Sequence, residues 1–268
     1  MRQRLAETRI FWREFRHTFT STGAVLPSGP ALAKSLARHV KQSDPGKRNT
    51  PTRVNRAATG SPRQQIGHTT FTSTQSVDPN PPKPARRILE VGSGTGPVTA
   101  QIIRQLGPRD TLDLVELNTR FVSVLQDRLH RDPRWQPVAD RVRIHPFPIE
   151  ELPTDQPFEV IISGLPLNNF SCEAVRTILN RFHQLAAANA MLSFFEYVAI
   201  RKAKSLFCKL PQRRRLSGIE QILSHQFATW EIHRECILAN VPPAWVHHLR
   251  LPGRGHSQQG TAILESSQ

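Results

Sequence analysis

The run Ile88-Leu89-Glu90-Val91-Gly92-Ser93-Gly94-Thr95-Gly96 constrains this chain more than any other stretch. A short apolar strand runs directly into three glycines at alternate positions, and Gln101 to Leu106 continue as a helix. Glycine lets the backbone take positive φ and lets a ligand approach where a Cβ would clash. The helix that follows presents unpaired N–H groups at its start. Strand, glycine turn and helix in that order open a doubly wound parallel sheet, which holds its ligand at the carboxyl ends of its strands.

Such a turn serves a dinucleotide or S-adenosylmethionine, and the neighbouring residues separate the two. The dinucleotide fingerprint G-x-G-x-x-G places its third glycine one residue later than Gly96. Glu90 leads the turn, where an acid would repel a pyrophosphate and attract a sulfonium-bearing amino acid. A second carboxylate, Glu116, closes a strand expected over 111–116, 20 residues after Gly96. At that distance an acid meets ribose hydroxyls; the plainer alternative is an acid that caps the next helix. The candidate cofactor-binding residues are therefore Glu90, Gly92, Ser93, Gly94, Thr95, Gly96, Glu116 and Leu117.

The alternation continues downstream. Strands are expected near 87–91, 141–145, 158–163 and 190–197, with closing strands over 227–233 and 245–250. Asn118 or Thr119 caps one helix, Ser171 caps another that carries Val175, Ile178, Leu179, Phe182 and Leu185, and a basic helical region spans 200–225. The pattern predicts an α/β, Rossmann-like, doubly wound, mostly parallel seven-stranded sheet over residues 87–250. Residues 1–41 read as amphipathic helices. In 1–20, Leu5, Phe11, Trp12, Phe15 and Phe19 share one face and Arg2, Arg9, Arg13 and Arg16 another; a shorter helix over 28–40 has Ser28 as N-cap and Pro30 in its first turn. Residues 42–86 carry seven prolines (45, 51, 62, 79, 81, 82 and 84) among polar residues, the composition of a disordered insertion. Residues 251–268 read as a flexible tail.

The formal net charge of +15 favours a polyanionic partner, either an anionic membrane surface or nucleic acid. Three scattered cysteines, Cys172, Cys208 and Cys236, argue against a disulfide frame or a zinc site, and no metal is expected. No apolar run reaches transmembrane length and no signal peptide is evident. The expected location is cytoplasmic, at the cytosolic face of a membrane, and the expected state a monomer.

The form E-x-G-x-G-x-G over Glu90–Gly96 resembles motif I of the S-adenosylmethionine-dependent methyltransferases. More specific matches follow: Gly23-Ala24-Val25-Leu26-Pro27-Ser28, Val115-Glu116-Leu117-Asn118, Ser163-Gly164-Leu165-Pro166-Leu167 and Asn240-Val241-Pro242-Pro243-Ala244-Trp245-Val246. Over 1–41 and 87–250 the chain is similar to the bacterial phospholipid N-methyltransferases. The resemblance implies S-adenosylmethionine as cofactor, phosphatidylethanolamine as methyl acceptor and an N-terminal helix that anchors the enzyme and acts as its lid.

It also brings Ser163, Gly164 and Phe147 to the cofactor, Phe147 standing where an adenine-binding Asp is usual. The acid usual before strand four is Glu159. Tyr197, the only tyrosine, and Asn168 are the candidate catalytic residues, with Phe170 as a second aromatic face for a quaternary amine. Adenine N6-methyltransferases of nucleic acid are the alternative, but Gly164 and Leu167 replace the Asn or Asp and the aromatic ring that clamp a flipped base there. A small-amine methyltransferase and a non-catalytic membrane- or RNA-binding relative also remain open. The basic residues Arg201, Lys202, Lys204, Lys209, Arg213, Arg214 and Arg215 would extend a membrane face or form a solvated loop.

Overall fold

Nearly unbroken apolar runs build the centre of the sheet, because strands covered on both faces need apolar side chains in both directions. The computed structural model describes residues 28–41, 84–198 and 210–253. The strands are β1 (Arg87–Val91), β2 (Thr111–Val115), β3 (Val142–His145), β4 (Phe158–Ser163), β5 (Ala186–Tyr197), β6 (Glu231–Ile237) and β7 (Ala244–Leu251). They form one sheet in the order β3-β2-β1-β4-β5-β7-β6. β1 to β5 run parallel, and β7 is antiparallel to both of its neighbours. This is the doubly wound α/β sheet expected from the sequence, and its order reverses at β1.

Helices α1 (Pro30–Leu36), α2 (Pro97–Ile103), α3 (Thr119–Arg131), α4 (Cys172–Leu185) and α5 (Leu210–Trp230) flank it. One core cluster joins Leu89, Val91, Ile161 and Phe194 to Val175, Ile178 and Phe182 of α4 and to Ile219, Ile222 and Leu223 of α5. On the other face Ile88, Leu112, Ile162 and Phe195 meet Leu32 and Leu36 of α1, Ile102 of α2 and Leu125 of α3. Trp135, only 1% exposed, belongs to this second layer.

The expected caps hold at two helices. Asn118 Oδ1 accepts the N–H of Arg120 at 3.0 Å and Ser171 Oγ that of Ala174 at 3.2 Å. Two expectations are corrected. Gly29, rather than Ser28, is the N-cap of α1, and no side chain caps that helix; the Gly29 N–H instead donates to Asn240 Oδ1 at 3.0 Å. Residues 227–230 end α5 rather than start a strand: Phe227 stacks on the His247 ring, 4.1 Å between centroids, and that contact holds the helix on the sheet through its last turn. The N-terminal helix over 1–20, most of the insertion, the basic residues 201–209 and the end of the tail lie outside the described residues. Among the described residues no helix is long and apolar enough to cross a membrane.

α1 covers a buried polar cluster. Ser193 Oγ and His248 Nδ1 are 2.8 Å apart across the β5–β7 pair, and the His39 ring meets His248 edge-on at 4.7 Å. Ser35 Oγ donates to Glu235 Oε1 at 2.5 Å, and the Arg38 guanidinium donates to Glu235 Oε2 at 2.9 Å. Burial pushes His248 down to about 4 and also lowers His39. An unfolded histidine titrates near ~6.5, so below that pH the unfolded chain binds more protons than the folded one. The contribution of His248 is therefore complete above about pH 6.5 and is lost as the pH falls towards 4. Urea unfolding followed between these limits should show a loss on the order of 2 kcal/mol from this residue. Glu90, whose raised value acts in the opposite direction, is common to wild type and His248→Gln, so the difference between their pH profiles isolates the histidine. Parallel profiles would show that His248 is not held neutral.

Candidate active site

Backbone bonds gather the loops after β1, β2, β3 and β4 at one edge of the sheet. The Gly92 N–H donates to Val115 O at 2.8 Å, Gly164 N–H to Val91 O at 2.8 Å and Glu116 N–H to His145 O at 3.1 Å. Each continues the ladder one step past its strand, so the four loop starts are held together before any side chain contributes.

The three glycines of the turn all have positive φ: 77° at Gly92, 56° at Gly94 and 86° at Gly96. Their surroundings differ. A Cβ on Gly96 would lie 2.7 Å from the Trp135 ring, and one on Gly92 would lie 2.8 Å from the Leu165 side chain. A Cβ on Gly94 would meet nothing within 4 Å. The first and third glycines thus serve packing, and the second faces the space a ligand can fill. Gly164 is bound by a harder limit, since a Cβ there would stand 2.6 Å from the carbonyl oxygen of Gly92. The Asn or Asp that a base-methylating site carries at this point has no room in this backbone.

Glu116 organises the turn. Its Oε2 accepts the N–H of Gly94 at 2.7 Å and its Oε1 that of Asn118 at 2.8 Å. The carboxylate therefore joins the glycine turn to the start of α3 and also supports a helix start, the plainer role. Burial holds Glu116 above its ordinary value, while the N–H donors of Asn118, Gly94 and Leu117 work against that shift. Glu90 is placed differently from expectation. It is 1% exposed and points beneath the turn towards α2, where Thr99 Oγ1 donates to its Oε2 at 2.7 Å. Burial, with the nearby Glu116 charge adding to it, pushes Glu90 up to about 8. That shift favours the neutral form of Glu90 over the carboxylate.

Ser93 is buried and its hydroxyl has no partner among the described residues; Thr95 is half-buried beside it. Ser163 Oγ accepts the N–H of Leu165 at 3.3 Å and shapes the turn after β4. Leu117 and Phe147 are half-buried and pack on the α4–α5 layer; the Phe147 ring lies 5.2 Å from that of His145. His145 Nε2 is 2.7 Å from Asp113 Oδ1, which ties this histidine down within the sheet. Glu159 lies at the opposite edge, where it accepts the N–H of Arg87 at 2.7 Å.

The catalytic candidates separate. Tyr197 ends β5 on the α1–α2 face, edge-on to Phe195 at 5.0 Å, with burial raising its hydroxyl. Asn168 sits in the turn after β4, beside the α4–α5 layer, and among the described residues no hydrogen bond links it to Tyr197. Phe170 is 1% exposed within the core and offers no open face to an amine. Arg215 is a residue that charge alone misassigns. Its Nη1 donates to Asn168 O at 2.9 Å and to Phe170 O at 2.5 Å, tying α5 to the turn after β4. Arg213 and Arg214 are exposed.

Two substitutions test the cradle. Gly94→Val should leave the chain folded and lower the affinity for S-adenosylhomocysteine by about 100-fold or more in titration calorimetry, through a side chain in the open space and strain at positive φ. Unchanged affinity would place the ligand elsewhere. Glu116→Gln keeps the size but offers one acceptor to two N–H donors; losing a charged acceptor costs about 1.5–3 kcal/mol, so affinity should fall by about tenfold or more.

Residues 88–189 match the family described as Methyltransferase domain. The ubiquinone/menaquinone biosynthesis C-methyltransferase of Vibrio parahaemolyticus is 32% identical over 95 residues, 35% of this chain and 35% of that protein. The ornithine lipid N-methyltransferase of Singulisphaera acidiphila is 27% identical over 103 residues, 38% of this chain and 53% of that protein. The chain thus spans between a third and about half of the length of these curated relatives. Among solved structures, the O-methyltransferase TomG of Streptomyces achromogenes, in complex with SAM, has 16% identity and a TM-score of 0.46, covering 62% of this chain and 73% of that one. Over residues 88–189 the chain is similar to methyltransferase domains, and these residues span most of its doubly wound α/β sheet.

Proposed function

We propose that the chain transfers methyl groups from S-adenosylmethionine to the head-group amine of a phospholipid, phosphatidylethanolamine, at a membrane surface. The observation that carries this reading is the turn after β4. Position 164 has no room for the polar side chain of a base-methylating site, because a Cβ there would stand 2.6 Å from the Gly92 carbonyl oxygen, and Leu167 and Phe170 are buried in the core. A net charge of +15 needs a polyanion, and with the nucleobase clamp missing, a lipid surface answers it better than nucleic acid. The match to a lipid N-methyltransferase supports the same acceptor class.

The chemistry asks little of the chain. S-adenosylmethionine would supply an activated methyl group, whose bond to sulfur would break as the lone pair of an unprotonated amine bonds to it, with S-adenosylhomocysteine leaving. The glycine turn and Glu116 would hold the cofactor, Ser163 and Gly164 would bound its methyl end, and the Asn168 turn, fixed by Arg215, would bound the acceptor. Tyr197 would offer an aromatic face to the increasingly quaternary product. A second reading, methylation at carbon of a quinone-like ring, is favoured by the match to a quinone-pathway C-methyltransferase.

The experiment is methyl transfer from radiolabelled S-adenosylmethionine, run separately with detergent-dispersed phosphatidylethanolamine, a quinone precursor and RNA. Label in mono-, di- or trimethylated phosphatidylethanolamine is the expected result. Label in the quinone fraction or in RNA, with none in lipid, would sink the proposal. Tyr197→Phe should keep the first transfer, whereas Tyr197→Ala should lose the later ones first.

A further inference from the structure

The β6–β7 connection carries the two most exposed large apolar residues among those described, Leu238 at 75% and Val241 at 74%. The tip is held in a defined shape. Asn240, itself buried, donates from Nδ2 to Pro242 O at 2.8 Å and accepts the Gly29 N–H on Oδ1 at 3.0 Å. This fixes the tip against the start of α1 and leaves its two apolar side chains pointing outward. The tip also lies at the ligand edge of the sheet, because Ala244 pairs with Tyr197 at the carboxyl end of β5.

Beside the tip runs a groove of about 610 Å³ between α1, α2 and the end of β6. Ile237, the residue before Leu238, lines it, together with Lys34, Arg38, Lys41 and Arg104. Its one carboxylate, Glu235, is already engaged by Ser35 and Arg38. Lys34, Lys41 and Arg104 are exposed and have no carboxylate within ion-pair distance among the described residues. Three uncompensated cations beside a fixed apolar tip match the two layers of a lipid surface, with phosphates outside and acyl chains beneath. Lys34 lies within α1, a helix of seven residues and roughly 10 Å, whose start is tied to the tip by the Gly29–Asn240 bond.

We propose that the β6–β7 tip and the α1–α2 groove together form a docking surface for anionic phospholipid. Leu238 and Val241 enter the acyl boundary, and Lys34, Lys41 and Arg104 meet head-group phosphates. The surface places the ligand edge of the sheet next to the lipid without calling on residues 1–20. It shares the membrane setting of the proposed function but needs no methyl transfer, and is tested without it.

The test is flotation of the full chain with vesicles of phosphatidylcholine, with and without phosphatidylglycerol. The comparison is with Leu238→Ser/Val241→Ser and with Lys34→Ala/Lys41→Ala/Arg104→Ala. The triple variant should bind anionic vesicles on the order of 100-fold more weakly. The tip variant should also bind more weakly, and its remaining binding should stay sensitive to salt because its cations are intact. Affinity for S-adenosylhomocysteine should stay unchanged in both, which shows that they fold. Amide exchange over 237–243 should slow when wild-type protein binds anionic vesicles. Wild-type vesicle binding by the variants, or no slowing at the tip while the protein is bound, overturns the proposal. So does loss of RNA binding in the triple variant by a protein that ignores vesicles. Failure of lipid methylation with these results intact would remove the proposed acceptor and leave the docking surface standing.

Discussion

Everything above the sheet depends on how closely the backbones of β1 and β4 approach where they leave it. Gly164 donates to Val91 O at 2.8 Å, and no side chain fits between Gly164 and the Gly92 carbonyl. That contact fixes the turn after β4 directly over the glycine turn after β1. Leu165 then packs where a Gly92 Cβ would be, Ser163 accepts the Leu165 N–H, and Arg215 ties the end of the same turn to α5. A bulkier pair of residues would separate the strand ends and dissolve the cleft, so the choice of glycine at 164 settles packing and chemistry together. It also leaves no room for the polar arm that a nucleobase clamp carries there.

The strands and the glycine turn were legible in the sequence because their causes are local. Val91 into Gly92 is a strand meeting a turn of positive φ, and only glycine suits that backbone. Glu116 stood out by its distance from Gly96; its carboxylate accepts the Gly94 and Asn118 N–H groups, which fits the plainer reading of an acid that supports the next helix. What failed had tertiary causes. Phe227 to Trp230 have the composition of a strand, but the stack of Phe227 on His247 holds them in a helix. Ser28 looks like a cap, yet Gly29 takes that position, and its N–H donates to Asn240, more than 200 residues away in sequence. Arg215 reads as one more surface charge until the carbonyls of Asn168 and Phe170 are seen beside it. Glu90 reads as a ligand contact because the sequence shows its position in the turn and not the direction of its side chain.

The polar content of β7 follows from the same limit. Its central residues, His247 and His248, are both buried in a sheet whose other central strands are nearly all apolar. Alternation sends them to opposite faces. His247 stacks on Phe227 beneath α5, with Glu231 at 2.5 Å from its Nδ1 and Glu196 at 3.4 Å from its Nε2. His248 meets Ser193 and His39 beneath α1. Each pairing spans different strands or helices, so no short window of sequence reveals it.

These two clusters give the antiparallel end of the sheet a register that apolar contacts would leave loose. Sliding β7 by one residue would turn both histidines to the opposite faces and put an apolar residue, Leu249 or Val246, in the place of one of them, stranding the polar partners of that cluster. The penalty for a buried polar group without a bond is about 1–3 kcal/mol, and several would be stranded at once. The correct register is therefore favoured strongly over the alternatives even though the polar pairs add little to stability by themselves. The same register sets Ala244 opposite Tyr197, which fixes the β6–β7 tip beside the carboxyl end of β5. A structural requirement deep in the sheet thus determines what the protein presents at the rim of its cleft.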